Sequence, residues 1–267
     1  MAAHSKDKGK NGQGALDDLK DQDLDSQLAR LEKATNGALK VRLLQFTLAM
    51  QRGDFATAET LVSELKKSYP SEIEASMAEI DVLTTQGKAD EAISVLNMTV
   101  EKFPKAVMPV RYLAVLYARQ GKYEHCETTI NDALKRIERP EAQRDLGLIL
   151  VDLYTMRKEE GKAYKTLSEL EQRLSDSIPV KRRLLRCEQV IKNNAQSQKL
   201  VNDIQSLEGP EGWQWRYEQA KLWAQEDGSK DRQPQIIKLL KENLLANPDD
   251  QSSRLLLAVT YEKSGEL

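Results

Sequence analysis

Three glycines, Gly53, Gly87 and Gly121, fall 34 residues apart, and two further markers keep the same step. Pro70 and Pro104 each follow a glycine by 17 residues, while Ala58, Ala92 and Cys126 each follow one by five. The stretch "QRGDFATAETL" at 51–61 is repeated in looser form as "QGKADEAISVL" at 86–96. A fixed period of this length means one supersecondary unit repeated along the chain, each copy burying its faces against its neighbours rather than around a single central core.

Each marker has a mechanical reading. The glycine takes a positive φ where one helix ends and the chain turns into the next. The small residue five positions later sits where the second helix crosses the first, so that the backbones approach closely; leucine at Ala92 would overpack that crossing. The proline ends the second helix, because it lacks an N–H and disfavours helical geometry in the residue before it. With only 13 glycines and 8 prolines among 267 residues, strand punctuation is thin and an all-helical chain follows.

A 34-residue period of paired helices resembles the tetratricopeptide repeat, whose pattern is W-x2-L-G-x2-Y, then A-x3-F, then P. With each glycine counted as fifteenth, the third copy places Ala114 at eight, Tyr117 at eleven and Ala133 at twenty-seven, as in that family. The first copy swaps large and small, with Phe46 at eight and Ala49 at eleven; the second has Ile80 and Leu83. The family tryptophan at position four is missing from all three, which carry Arg42, Ser76 and Val110.

The resemblance implies a right-handed α-solenoid over 21–267, with repeats near 39–72, 73–106, 107–139, 140–179, 180–209 and 210–249 and half-repeats at 23–36 and 250–267. In the fourth unit a helix at 141–158 runs to a turn at Gly161, and Pro179 closes the unit. The fifth pairs "VKRRLLRCEQVI" with "SQKLVNDIQSL"; the sixth carries an insertion near "EDGSKDRQ" and resumes at Pro248. Leu24, Leu28 and Leu31 lie where an unpaired second helix would, and Leu255, Ala258, Val259 and Tyr261 form a stripe left open to water. Both ends read as cuts through repeats of a longer chain, and residues 1–20 as a polar lead-in or linker without apolar periodicity.

The balance of 40 basic and 42 acidic residues leaves a net charge of −2, which disfavours nucleic acid and anionic membranes as partners. No apolar run approaches a membrane span and "MAAHSKDKGKNGQG" has no secretory core, so the chain reads as cytoplasmic; a missing N-terminus would leave periplasmic or membrane-associated placement open. Cys126 and Cys187 read as buried small hydrophobes. His125 and Cys126 are helix neighbours and point about 100° apart, which opposes a nucleophile pair. Without a phosphate loop, HExxH, GxSxG or EF-hand motif, the segment reads as no enzyme and as needing no cofactor or metal.

Lys181, Arg182, Arg183 and Arg186 form a basic cluster, either a solvated face or a phosphate grip. Trp223 reads as core, whereas Trp213 and Trp215, two apart, cannot share a neighbour, so one is a candidate exposed anchor. The resemblance further implies a concave groove lined by first-helix positions two, five, nine, twelve and thirteen. Its candidate partner-binding residues are Thr47, Met50 and Gln51, then Met77, Asp81 and Thr84, then Arg111, Val115 and Arg119. Met50, Met77 and Met108 would supply adaptable apolar contacts, and Arg111 with Arg119 would pair a carboxylate. Thr47, Asp81 and Val115 stand where the chaperone-tail clamp subtype needs asparagine, which excludes that subtype. The reading is a non-catalytic scaffold for a partner peptide or helix; the alternatives are the repeat arm of a larger enzyme or envelope and exopolysaccharide export assembly, and self-association through open terminal repeats.

Overall fold

The turn glycines take the conformation the period demands: φ is +70° at Gly53, +75° at Gly87 and +70° at Gly121. In the computed structural model, described for residues 24–225 and 229–264, every regular element among the described residues is helical. They are α1 (24–35), α2 (Leu39–Arg52), α3 (Phe55–Ser68), α4 (Ile73–Thr85), α5 (Ala89–Lys102), α6 (Val107–Arg119), α7 (Tyr123–Arg136) and α8 (Pro140–Met156). Then come α9 (Glu160–Arg173), α10 (Ile178–Leu184), α11 (Glu188–Ile191), α12 (Asn194–Glu208) and α13 (Trp213–Gln225). A 3₁₀ turn at Ser229–Arg232 precedes α14 (Gln233–Ala246) and α15 (Gln251–Ser264). The lead-in at 1–20 and the glycine at 265 lie outside the described residues.

The chain divides into two compact units, Met1–Gly121 and Lys122–Leu267. In the first, α2 to α6 pack in chain order, each helix on the next, and α2 also touches α4. Its core joins Phe46, Ala49, Ala58, Leu61, Val62, Leu65, Ala75, Ala78 and Val82. Phe46 and Ala49 are both buried, so the exchange of large and small between positions eight and eleven packs within one cluster. Helix α1 is tied to α2 by Arg52–Asp25 at 2.8 Å and Gln45–Glu32 at 2.9 Å. Of its three leucines only Leu28 is buried.

The turns at Gly53, Gly87 and Lys158 close with two backbone bonds: the left-handed residue donates to a carbonyl three back, and its successor donates five back. Gly87 N–H meets Thr84 O at 3.1 Å and Lys88 N–H meets Leu83 O at 2.8 Å. This satisfies carbonyls that a helix end leaves orphaned. The second helices end alike, with Tyr69, Phe103 and Leu174 donating to the carbonyls of Leu65, Thr99 and Leu170 at 2.8 Å.

The second unit also packs in chain order, α7 through α15, with both α10 and α11 against α12. Here the structure departs from the sequence reading in three places. The turn of the fourth hairpin is at Lys158, with φ +59°, and not at Gly161, which lies inside α9. The clock restarts from that lysine: Ala163 follows it by five and is buried, and Leu174 follows it by sixteen as the helix cap. Lys158 lies later than a 34-residue step from Gly121 would put it because α8 has 17 residues where α4 and α6 have 13. Second, Pro179 does not close the unit; it sits in the first turn of α10, where its missing N–H costs nothing. Third, the expected single helix at 180–191 is broken into α10 and the one-turn α11.

Helix α8 carries a glycine in its interior, Gly147, because a side chain there would strike Leu170 of α9; an added Cβ lies 2.6 Å from Leu170 Cδ1. By contrast, a Cβ at Gly87 meets open space, so only the positive φ opposes substitution there. Gly87→Ala is therefore expected to lower unfolding free energy by about 1 kcal/mol through backbone strain. Gly147→Ala is expected to cost about 1–3 kcal/mol by overpacking, and trimming the neighbour in Gly147→Ala/Leu170→Ala to recover part of it. Lys158→Gly should go the other way and stabilise by up to about 1 kcal/mol. Urea titrations followed by circular dichroism distinguish the three; equal costs at 87 and 147 with no rescue would overturn the assignment of strain to one and crowding to the other.

Candidate functional site

Helix α6 presents Arg111, Val115 and Arg119 at four-residue steps, hence on one face, with the two guanidinium-bearing positions about 12 Å apart along the axis. This face borders a hollow of about 470 Å³ in the first unit. Thr84, Gly87 and Ala89 of the preceding hairpin and Met108, Tyr112 and Leu116 of α6 complete most of its wall. Val115 is 43% exposed and Met108 48%, large apolar side chains held at the surface. Neither Arg111 nor Arg119 forms an ion pair with any described residue, although ion pairs are frequent elsewhere in the chain. The hollow thus combines apolar wall with two uncommitted cations.

Asp81 of α4 and Tyr112 of α6 influence each other electrostatically beside this face. Half-burial pushes the Asp81 carboxyl above its ordinary value, against the lowering effect of the nearby tyrosine hydroxyl. In return the Asp81 charge, then burial, raises the Tyr112 hydroxyl, while Arg111 opposes the rise.

The nine sequence-derived groove residues separate into three groups. Thr84, Arg111, Val115 and Arg119 share the hollow. Asp81 flanks it through Tyr112, and Met77 is half-buried on α4. Thr47, Met50 and Gln51 lie on α2, where Met50 packs against the core cluster instead of standing free. The threonine hydroxyls are turned inward: Thr47 donates to Leu43 O at 2.9 Å and Thr84 to Ile80 O at 2.8 Å, which leaves them little to offer a ligand. Tyr112 was missed because it occupies position six, between two groove positions. Its signal is nonlocal, an acid on α4 that only packing brings within reach.

The basic cluster is neither a solvated face nor a phosphate grip. Lys181 is 2% exposed and meets Glu171 at 2.9 Å and Asp203 at 3.5 Å. Arg182 pairs with the buried Glu218 at 2.7 Å and lies over the Trp213 ring at 5.3 Å; Arg183 pairs with Asp152 at 2.6 Å. Only Arg186 remains exposed without such a partner. These cations tie α10 to α8, α9, α12 and α13, because a helix too short to offer a full apolar stripe is held by ion pairs and hydrogen bonds instead. Trp213 is the exposed tryptophan and Trp223 packs at the edge of the Ala220, Ile236 and Leu240 cluster.

Burial, then the Glu127 charge, pushes the Cys126 thiol up to about 11, and burial, then Glu160, raises that of the half-buried Cys187. Thiols held neutral are poor nucleophiles. Among the described residues, no cluster of three histidine, cysteine or acidic side chains is placed to hold a metal, and no helix is long and apolar enough to cross a membrane.

Residues 43–107 match the tetratricopeptide repeat family. No curated protein matches the chain in sequence. Among solved structures, the C-terminal part of a repeat-containing protein from Cytophaga hutchinsonii is 11% identical with a TM-score of 0.58, covering 87% of this chain and 92% of that one. The pilF protein of Pseudomonas aeruginosa is 12% identical with a TM-score of 0.53, covering 82% and 96%. At such identity the likeness shows the fold, a helical solenoid.

In native protein at pH 8, a thiol-specific reagent is expected to label Cys187 ahead of Cys126, with both equal in denaturant; peptide mapping by mass spectrometry reads the order. Prompt native labelling of Cys126 would contradict its burial and raised thiol.

Proposed function

We propose that this tetratricopeptide-repeat protein is a non-catalytic scaffold that holds an extended partner segment along the inner face of its first unit. The observation that carries the reading is the face of α6: two arginines with no internal partner on either side of an exposed valine, above a hollow with apolar walls. Leaving two cations unpaired beside exposed apolar surface brings the isolated chain nothing in stability, whereas a partner's carboxylates and aliphatic side chains complete both. Met108 and Met77 adapt to the shape of what docks. No bond is made or broken; the scaffold works by presenting a rigid row of side chains, and affinity comes from apolar contact while charge sets register and on-rate.

Charge reversal tests this. The triple variant Met77→Glu, Arg111→Glu, Arg119→Glu alters only exposed or half-buried side chains, so its helicity and thermal midpoint are expected to stay close to those of the parent. Partners captured by the parent from lysate of its own source, and identified by mass spectrometry, should be lost from the variant, with capture by the parent weakening as salt rises. Equal capture by both proteins would move the binding surface away from α6.

A further inference from the structure

Counted from each left-handed turn residue, Gly147 stands eleven positions before Lys158, as Arg42, Ser76 and Val110 stand before Gly53, Gly87 and Gly121. This is the place of the family tryptophan, and in the fourth copy it carries no side chain. Leu170 packs against it, and a hollow of about 670 Å³, lined by Gly147, Leu150 and Leu170 among others, lies between the second helices α7 and α9. By the same count Arg111, Val115 and Arg119 correspond to Leu148, Asp152 and Met156, none of which lines it. The hollow therefore belongs to a different face from the hairpin-turn groove.

Its walls are unequal in charge. Lys135 of α7 and Lys162, Lys165 and Arg173 of α9 line it against two acids, Glu127 and Glu169. Both acids are already engaged. Glu127 accepts from the Tyr154 hydroxyl at 2.7 Å and lies 3.8 Å from Arg157 and Lys162, while Glu169 lies 3.7 Å from Arg173. Lys135 also meets Asp132, and Lys162 meets Glu159, each three residues away on its own stretch of chain; such exposed pairs contribute little and exchange readily for a ligand. Lys165 forms no ion pair among the described residues, although it sits one turn from the like-charged Lys162. Beside it, the half-buried Thr166 makes no hydroxyl hydrogen bond among the described residues, whereas Thr84, Thr99, Thr155 and Thr260 each donate to the carbonyl four back. The counterpart between α1 and α3 is a hollow of about 220 Å³ whose charges are Asp25, Asp54 and an Arg52 already paired with Asp25, so an anion finds no surplus there.

We propose that the hollow between α7 and α9 binds a small anion with clustered phosphate groups, centred on Lys165, with Lys135, Lys162 and Arg173 around it and a phosphate oxygen accepting from the Thr166 hydroxyl. Lysine holds phosphate as a point charge without fixed angles, and a hollow of this size suits a small molecule. Tyr154, the aromatic side chain of the lining, is 5% exposed, so no ring is offered to stack a base and the phosphates carry the recognition. Within a chain of net charge −2 the cationic surplus is local, which draws an anion to this face and not to the whole surface. The site does not require that the groove of the first unit be occupied.

The test uses the whole 267-residue chain, isotope-labelled, with sodium tripolyphosphate added to about 10 mM at constant ionic strength and followed by amide chemical shifts. Shifts that saturate in that range are expected at Lys162, Lys165 and Thr166. Apparent affinity should fall at least about tenfold in Lys165→Glu and about threefold in Thr166→Val. Lys199→Glu makes the same change of net charge at an exposed lysine of α12 outside the hollow, and should leave affinity nearly unchanged. Adenosine triphosphate is expected to bind much as tripolyphosphate does. The proposal is overturned if these amides stay unmoved, if sodium chloride alone reproduces their shifts, or if Lys165→Glu and Lys199→Glu weaken binding alike. Binding of adenosine triphosphate more than about tenfold tighter would also overturn it, since the base and not the phosphates would then be recognised. Because Lys165 and Lys199 are exposed and Thr166 is half-buried, parent-like spectra of the three variants are expected without ligand.

Discussion

Everything in this chain depends on how closely the two helices of a hairpin can approach just after they turn. The left-handed residue reverses the chain, backbone bonds lock the reversal, and five residues on a small side chain must pass beneath the first helix. Ala58, Ala92 and Ala163 are all buried at that point. A methyl group there sets a helix separation short enough for the remaining apolar positions to interlock, and repeating the crossing generates the stack. Where the rule relaxes, as at Ile236 in α14, a small partner helix residue, Ala220, joins the same cluster.

The second unit shows how such a stack absorbs irregularity. Where the first helix is four residues longer than in α4 and α6, the turn falls on Lys158, yet the alanine and the cap keep their distances from that turn rather than from the chain's overall count. The conserved quantity is the local geometry from turn to crossing, since hydrogen bonds and packing act over a few ångströms and have no knowledge of a 34-residue ruler. The next unit replaces an apolar helix with two short pieces, the first of them held by Lys181, Arg182 and Arg183. Removing any one member of such a buried pair leaves a charge stranded, so these links specify how the pieces seat as much as how tightly.

Against that background the free cations stand apart. Arg111, Arg119 and Arg186 form no ion pair among the described residues, and the first two lie beside the exposed aliphatic side chain of Val115. In the first unit the hollow lies where a hairpin turn faces the next first helix.

By itself the sequence determined the helical class, the period, the turn residues of the first three hairpins and the face that Arg111, Val115 and Arg119 share. These are local properties: helical spacing places residues on a face, and only glycine crosses to positive φ without strain. Tertiary structure alone decided the rest. Lys181 becomes an internal brace because Glu171 and Asp203, 10 and 22 residues away, converge on it. Asp81 of α4 comes within reach of Tyr112 only through packing, and the helix read at 180–191 is broken into α10 and α11. Charged side chains look alike along a helix; whether one faces water, an acid or a recess is settled by the helices packed against it.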